Sequence, residues 1–417
     1  MSRSRLLAVF GVALSVRLLY VLALDPTIEP ISDAFNYHVL GDLIRHNRGF
    51  IGPTDWAFRH HVRPTAVFGP GHPAVLALAN LVGLDTIRGQ QLFLGFVGSF
   101  TPVLTALLGW RVTRRQGIAL GAGLLAALDP MLFGSDGALM AETVFTLCGT
   151  AVVLLLVVGR GETDARRHWL AVAAGVALGM AVLTRGDGLL LLPIVVVPLL
   201  WRRWRDVVLV AGVMAVVVAP WVVRNYVRFD HVVLSTNVGA LVNGANCPET
   251  YEGSYLGSWS FECAYRIELV GDEAVDADRL RAEGVRYARA HGSRLPVVVA
   301  ARLGRGWGVF QPFTQAEREA KFEGRVRSTQ SAGVVLTWVL APLAALGLWL
   351  LRRRGIGIAA LAGPIAFVTV LFALSYGNSR FGELAHPALV VGAAVALAWL
   401  VGERRTPSPA AHPTVSG

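Results

Sequence analysis

Long apolar runs separated by short polar connections dominate the chain. Ten of them read as membrane-crossing helices: Leu6–Leu24, Gly89–Val112, Ile118–Leu132, Glu142–Val158, His168–Thr184, Gly188–Trp201, Val207–Val223, Ala332–Leu351, Ile356–Leu374 and Leu384–Val401. The third and sixth are short for a hydrocarbon core about 30 Å thick, and are expected to tilt or to extend beyond these limits. His72–Leu84 is also apolar. It follows Gly69-Pro70-Gly71, contains Pro73 and is too short to cross, so it is expected to lie in the interface or to re-enter. The first run follows Arg3 and Arg5 as in a signal peptide, but Tyr20-Val21-Leu22-Ala23-Leu24 offers no small-residue cleavage site, which predicts a retained helix. Arg17 inside it is costly in lipid and is expected to face protein or a polar cavity.

Arginine falls in alternate connections: Arg3/Arg5, Arg111/Arg114/Arg115, Arg160/Arg166/Arg167, Arg202/Arg203/Arg205, Arg352/Arg353/Arg354 and Arg404/Arg405. Threading the ten helices puts every cluster on one side, the cytoplasmic one by the positive-inside rule. The opposite face receives two large loops, about 25–88 and 224–331, and three short ones around Asp129–Ala141, Arg185–Asp187 and Ser375–Glu383. A short helix is predicted over Ala34–His46 and a charged, solvated one over Asp276–His291. No internal repeat is evident. The whole of 1–403 reads as one membrane domain, and the Pro/Ser/Ala-rich segment 404–417 as a disordered cytoplasmic tail.

The chain has 417 residues, 54% of them hydrophobic and 16% charged, against roughly 25% charged in soluble proteins. The net charge of +10 does not point to nucleic acid, because the arginines sit in short clusters between apolar runs. Three cysteines are too few for a disulfide scaffold, and none has metal-ligand spacing. Cys148 lies in an apolar helix. Cys247 and Cys263 share an outer loop, in a compartment that can be oxidising, and are expected to form a disulfide; two unpaired thiols are the alternative.

The polar signals collect on the outer face. Asp33 follows the first helix directly, with Asn36, Tyr37 and His38 beside it. Asp129, Asp136 and Glu142 form a second acidic loop, and Arg185-Gly186-Asp187 a third element. Arg224-Asn225 and Arg380 are cations at helix ends. A carboxylate at the interface can take a proton from an acceptor hydroxyl. Guanidinium groups hold phosphate with planar forks. Together they suit group transfer from an anionic lipid. Each residue also has a plainer reading: Asp33 as a helix cap, Glu142 as a first-turn charge, Arg185 and Asp187 as a salt bridge, Arg224 as an interfacial anchor. His60, His61 and His72 lack ligand spacing and read as loop histidines.

The ordered motifs resemble the GT-C superfamily of polytopic glycosyltransferases, in particular its bacterial branch related to protein O-mannosyltransferases and lipid A aminoarabinose transferases. Ser32-Asp33-Ala34-(x)2-Tyr37-His38 is similar to the first-loop acidic motif, followed by Gly49-Phe50. Pro64-Thr65-Ala66-(x)3-Gly69-Pro70-Gly71-His72-Pro73 resembles the Pro/Gly element. Leu128-Asp129-Pro130 with Ala141-Glu142-Thr143-(x)-Phe145 resembles the second acidic loop. Leu183-Thr184-Arg185-Gly186-Asp187-Gly188, Pro220-Trp221-(x)2-Arg224-Asn225-Tyr226 and Arg380-Phe381 are similar to later landmarks.

The resemblance covers Leu6 to Val401. It implies an all-α membrane bundle of about ten helices in the plasma membrane. It further implies transfer of a mannose-like hexose or a pentose from a polyprenyl-phosphate donor to a hydroxyl of a glycan, lipid or protein, on the extracytoplasmic face and with inversion. Asp33 takes the role of base and Glu142 a supporting acidic role. Tyr37, His38, Arg185, Asp187, Arg224 and Arg380 are expected to bind substrate. Asp33-Ala34 replaces two adjacent acids found in many relatives, and the usual Pro before Asp187 is missing. No resident metal is therefore assigned, and a divalent ion at Glu142 stays open. Two readings from other classes compete: a transporter or flippase of an anionic lipid, and a non-catalytic envelope-assembly protein. Chemistry needs the Asp33 carboxylate; neither alternative does.

Overall fold

The computed structural model describes residues 1–24, 26–28, 32–266, 268 and 270–402. Segment 404–417, expected to be a disordered tail, lies outside them. All the regular structure in the described residues is helical apart from a single isolated bridge between Ile51 and Pro64. Seven helical segments are long and apolar enough to cross a membrane: Arg3–Leu24, Ile87–Thr113, Glu142–Gly159, Asp164–Thr184, Trp204–Phe229, Arg327–Arg353 and Ser379–Leu400. The other three expected crossings are present as shorter or broken elements. Gln116–Ala127 and Pro130–Gly137 form a pair bent by 43°. The bend falls where Asp129 caps the second piece, accepting from the Met131 N–H at 3.0 Å, and where Pro130 has no N–H to continue the first. Gly186–Leu199 and Ala359–Leu374 are each a short apolar helix. Pro193 and Pro198 lie inside the former, which passes through tight and wide turns instead of regular α-helix. This is a multi-pass membrane protein.

The arginine-bearing ends meet one another. Arg160 donates to the Leu199 carbonyl (2.8 Å), Arg203 donates to the Arg160 carbonyl (3.3 Å), and Arg167 pairs with Asp206 at 3.0 Å. Glu142 opens the Glu142–Gly159 helix whose other end carries Arg160. Eighteen residues at 1.5 Å each set Glu142 about 27 Å from that end. Within the bundle, Arg17 is buried and donates from Nε to Asp136 at 2.5 Å, which neutralises the charge inside the first helix.

The first large loop folds into the Asp33–Arg45, Pro53–Arg59 and Gly71–Leu81 helices. The N-cap of the first is Ser32, whose Oγ accepts from the Phe35 N–H at 3.2 Å. Asp33 is thus the first helical residue and not the cap. The Pro/Gly element packs directly on the end of the Asp164–Thr184 helix. A Cβ on Gly69 would stand 2.2 Å from the Leu183 carbonyl oxygen, and one on Gly71 would stand 2.5 Å from Thr184 Oγ1. Glycine at both positions lets the first loop reach the backbone that precedes Arg185.

The second large loop forms Asn237–Ala245, Glu273–Ala290, Leu295–Gly306 and Pro312–Glu323. Cys247 and Cys263 are paired within it, with Cα atoms 6.3 Å apart. Two buried arginines tie this region together. Arg302 donates to the Ala245 carbonyl at 2.6 Å, and Arg305 to those of Ser254 and Leu256 at 2.6 and 2.7 Å.

Candidate functional site

Five helix ends bring a cluster of charges together on the face opposite the arginine-rich connections. Arg185, just past the Asp164–Thr184 helix, holds Asp187 through a two-pronged bond, Nε to Oδ1 at 3.2 Å and Nη2 to Oδ2 at 2.7 Å. Its Nη1 donates to Glu142 Oε1. Such forks fix orientation as well as charge, so Arg185 clamps the buried Glu142 side chain in place. The Arg185 guanidinium lies 4.6 Å above the Phe381 ring, which Arg380 approaches at 5.1 Å.

Arg380 is the hub. It sits in the tight turn Ser379–Ala385, opened by Asn378, whose side chain accepts from the Arg380 N–H at 3.0 Å. Three carboxylates surround its guanidinium, each at 3.5 Å: Asp33 and Glu142, and Glu323 from the end of the Pro312–Glu323 helix. Its Nε is buried and makes no hydrogen bond. Arg380 is thus held more loosely than Arg185, by pairs at 3.5 Å and not by short forked bonds. Among the three carboxylates Asp33 is the accessible one: its side chain is 40% exposed, against 4% for Glu142 and 13% for Glu323.

A second layer lies below. Arg325 pairs with Glu383 at 2.5 Å, donates to Ser135 and donates to Gln330 Oε1 at 3.0 Å. Glu319 accepts from the Ser379 N–H at 2.9 Å and from the Ser379 hydroxyl at 2.7 Å, which fixes the turn carrying Arg380. Asn378 donates to Glu323 Oε1 at 2.8 Å. Burial pushes the Glu323 carboxyl up to about 7, with Arg380 opposing the rise.

The residues singled out in the sequence divide in two. Asp33, Glu142, Arg185, Asp187 and Arg380 come together. Tyr37 is buried beside them, packed on Phe68 and His72; burial, and then the charges of Asp33 and Glu142, raise its hydroxyl pKa. His38 and Arg224 are engaged elsewhere. His38 Nδ1 bonds Gln90 at 2.9 Å. Arg224 donates to the carbonyls of Thr65 and Phe50 at 2.7 and 3.0 Å, with its guanidinium 5.0 Å from the Trp221 ring. It anchors the first loop to the Trp204–Phe229 helix. Glu319, Glu323, Arg325 and Glu383 were not singled out in the sequence. The signal was there for the first two: acids four residues apart lie on one helix face immediately before a membrane span.

The acids do not fit a divalent ion as they stand. The Arg380 guanidinium occupies the centre that Asp33, Glu142 and Glu323 share, and a second cation would meet it at close range. Among the described residues the one group with metal-ligand proximity is Cys247, Glu249 and Cys263, and its two sulfurs are joined as a disulfide.

Residues 86–235 match the family model described as Dolichyl-phosphate-mannose-protein mannosyltransferase. That stretch holds Glu142, Arg185, Asp187 and Arg224, but neither Asp33 nor Arg380. No curated protein matches the chain by sequence. In fold, the chain is similar to the oligosaccharyltransferase of Archaeoglobus fulgidus in the apo form, with 16% identity, a TM-score of 0.54, and 96% of this chain aligned to 51% of that one. A second structure of that enzyme, AglB in complex with an inhibitory peptide and a dolichol-phosphate, gives 15% identity, a TM-score of 0.53 and coverages of 95% and 50%. The chain thus spans about half the length of these enzymes. ArnT from Cupriavidus metallidurans bound to undecaprenyl phosphate aligns at 16% identity over 94% of this chain and 78% of that one, with a TM-score of 0.46. The family match covers 150 of the 417 residues, and the structural likeness shows an all-α membrane fold.

Proposed function

We propose that the chain is an integral-membrane glycosyltransferase that moves a sugar from a polyprenyl-phosphate carrier to an acceptor hydroxyl on the extracytoplasmic face of the plasma membrane. The observation that carries this reading is the contact between an accessible carboxylate, Asp33, and a guanidinium, Arg380, held loosely among three carboxylates at 3.5 Å each. A base stands next to a phosphate binder, on the side of the membrane away from the arginine clusters. The family match over 86–235 supports the donor class, a lipid phosphate carrying a hexose such as mannose; a pentose is the alternative. The similar enzyme AglB is in complex with a dolichol-phosphate, which supports it too.

In the mechanism, the acceptor O–H gives its proton to the Asp33 carboxylate. The oxygen attacks the anomeric carbon from the side opposite the phosphate. The carbon–oxygen bond to phosphate breaks with inversion, and the electron pair leaves on the polyprenyl phosphate. Arg380 meets that charge as it develops, which is worth most in a site shielded from water. Glu142, held by Arg185, keeps Arg380 aimed, and Glu323 balances its charge while the phosphate is absent. A phosphate leaving group needs no strong general acid. No step is assigned to a metal.

The test is transfer by the purified protein from a panel of polyprenyl-phosphate hexoses and pentoses to hydroxyl acceptors. Turnover with at least one donor, lost in Asp33→Asn, supports the reading. Donor binding with no transfer to any acceptor would favour a transporter or flippase instead.

A further inference from the structure

Between the two outer loops lies a cavity of about 570 Å³, within the 300–1,000 Å³ range of small-molecule sites. Its walls come from the Pro53–Arg59 helix and the Arg63–Val67 segment of the first loop, from the end of the Trp204–Phe229 helix, and from the start of the Glu273–Ala290 helix. It adjoins Asp33. Thr54 on the first wall donates to Asn36 Oδ1 at 2.9 Å, and Phe58 stacks on Phe35 at 5.9 Å. Asn36 is three residues from Asp33 on the same helix and so on the same face. Tyr265, on another wall, has its hydroxyl pKa raised by burial and then by the charges of Asp33 and Glu273, so both carboxylates are within electrostatic reach of it.

The lining has a definite chemistry. Glu273 Oε1 accepts from the Ala66 N–H at 2.7 Å and from the Thr236 hydroxyl at 2.5 Å. Asp276 accepts from the N–H groups of Val270 and Gly271 at 2.8 and 3.0 Å. Asp272 Oδ1 accepts from those of Ala274 and Val275, both at 3.0 Å. An ionised carboxylate has roughly four lone-pair sites, so each of these groups is locked in place and still has acceptor capacity left. Phe229 and Tyr265 add aromatic surface. With Asp55, four carboxylates line it beside Arg63 and Arg228, and Asp55 and Asp276 are also paired with Arg59 and Arg279 at 3.5 and 3.9 Å. Fixed acceptors beside aromatic rings suit a molecule with several O–H donors and an apolar ring face. With its charges close to balanced, the lining offers a molecule carrying phosphate or sulfate no net attraction.

The geometry points to this cavity as the acceptor site, and to a neutral sugar unit of a glycan as what it holds, with one hydroxyl directed at Asp33. The inference rests on the transferase reading and narrows its acceptor from glycan, lipid or protein to a glycan.

The test uses the full-length protein in nanodiscs of uncharged lipid, with neutral trisaccharides of mannose, glucose, galactose and arabinose as probes and saturation-transfer NMR as the readout. At least one trisaccharide binds, and its signal falls at least fivefold in Asn237→Trp, which fills the cavity, and in Tyr265→Ala, which removes an aromatic wall. Asp33→Asn still binds it, so the result is independent of turnover. The inference is overturned if no trisaccharide binds, or if binding is equal in wild type and both variants. It is overturned equally if a Ser/Thr-containing peptide, and none of the sugars, binds in a manner lost in Asn237→Trp. Sugar binding of the expected kind without transfer from any donor would sink the transferase reading and leave the sugar site standing.

Discussion

Arg380 lies 3.5 Å from Asp33 and joins the first outer loop to the turn before the last helix, yet the carboxylate it faces is partly open to solvent while the guanidinium is buried. In the proposed mechanism, this pair serves opposite ends of the group transfer. The exposed partner can meet an incoming hydroxyl, and the buried one can hold a departing anion. Glu142 and Glu323, at the same distance from Arg380, keep it from collapsing onto Asp33 alone.

Asp33→Asn is expected to lower transfer by roughly 10² or more, because Asn matches the shape but cannot accept the proton. Since Ser32 provides the helix cap, the substitution should leave the thermal midpoint close to wild type. Near-normal turnover by the well-folded variant would remove Asp33 from the mechanism.

Arg380→Lys keeps a positive charge and loses the planar fork. The apparent KM for the lipid-phosphate donor should rise by about tenfold, read from donor-concentration curves. Arg224→Ala should instead cost on the order of 1–3 kcal/mol of stability, through two lost charge-assisted bonds to carbonyls, with donor KM little changed. The opposite pattern would return phosphate binding to Arg224.

Glu323 gives a pH dependence with a definite sign. Its carboxyl is raised from the ordinary 4.5 to about 7, so the folded protein binds more protons than the unfolded chain between those values. Stability contributed by this group should fall as pH rises from 4.5 to 7 and level off above. Glu323→Gln should flatten that part of the thermal-midpoint profile. An unchanged slope would mean that other groups set it.

Thiol labelling of the unfolded, unreduced protein should modify Cys148 alone. Reductant should expose Cys247 and Cys263 as well. Replacing both by serine is expected to cost about 2–4 kcal/mol. Three reactive thiols without reductant would rule out the bond in the isolated protein.

Reporter fusions after Gly52 and after Glu268 should both report the extracytoplasmic side, and one after Arg203 the cytoplasmic side. A cytoplasmic signal at either of the first two would separate loops that the site requires to share one face.

The sequence by itself determined the apolar helices and the connections between them in which the polar motifs lie. Hydropathy runs and arginine bias are properties of consecutive residues, and the bilayer reads them one segment at a time. It also marked Asp33, Glu142, Arg185, Asp187 and Arg380, as five separate signals. Only the tertiary structure decided their division of labour. Arg185, Arg224 and Arg380 look alike as arginines at helix ends. Packing gives Arg185 to Glu142 and Asp187, Arg224 to the carbonyls of Phe50 and Thr65, and leaves Arg380 among three carboxylates. Glu323 entered the site for the same reason. Its helix is given no role from the sequence, and the fold buries one side of it against Asn378 and Arg380. Which cation meets which anion depends on how distant helix ends are packed side by side, and no local pattern of residues encodes that.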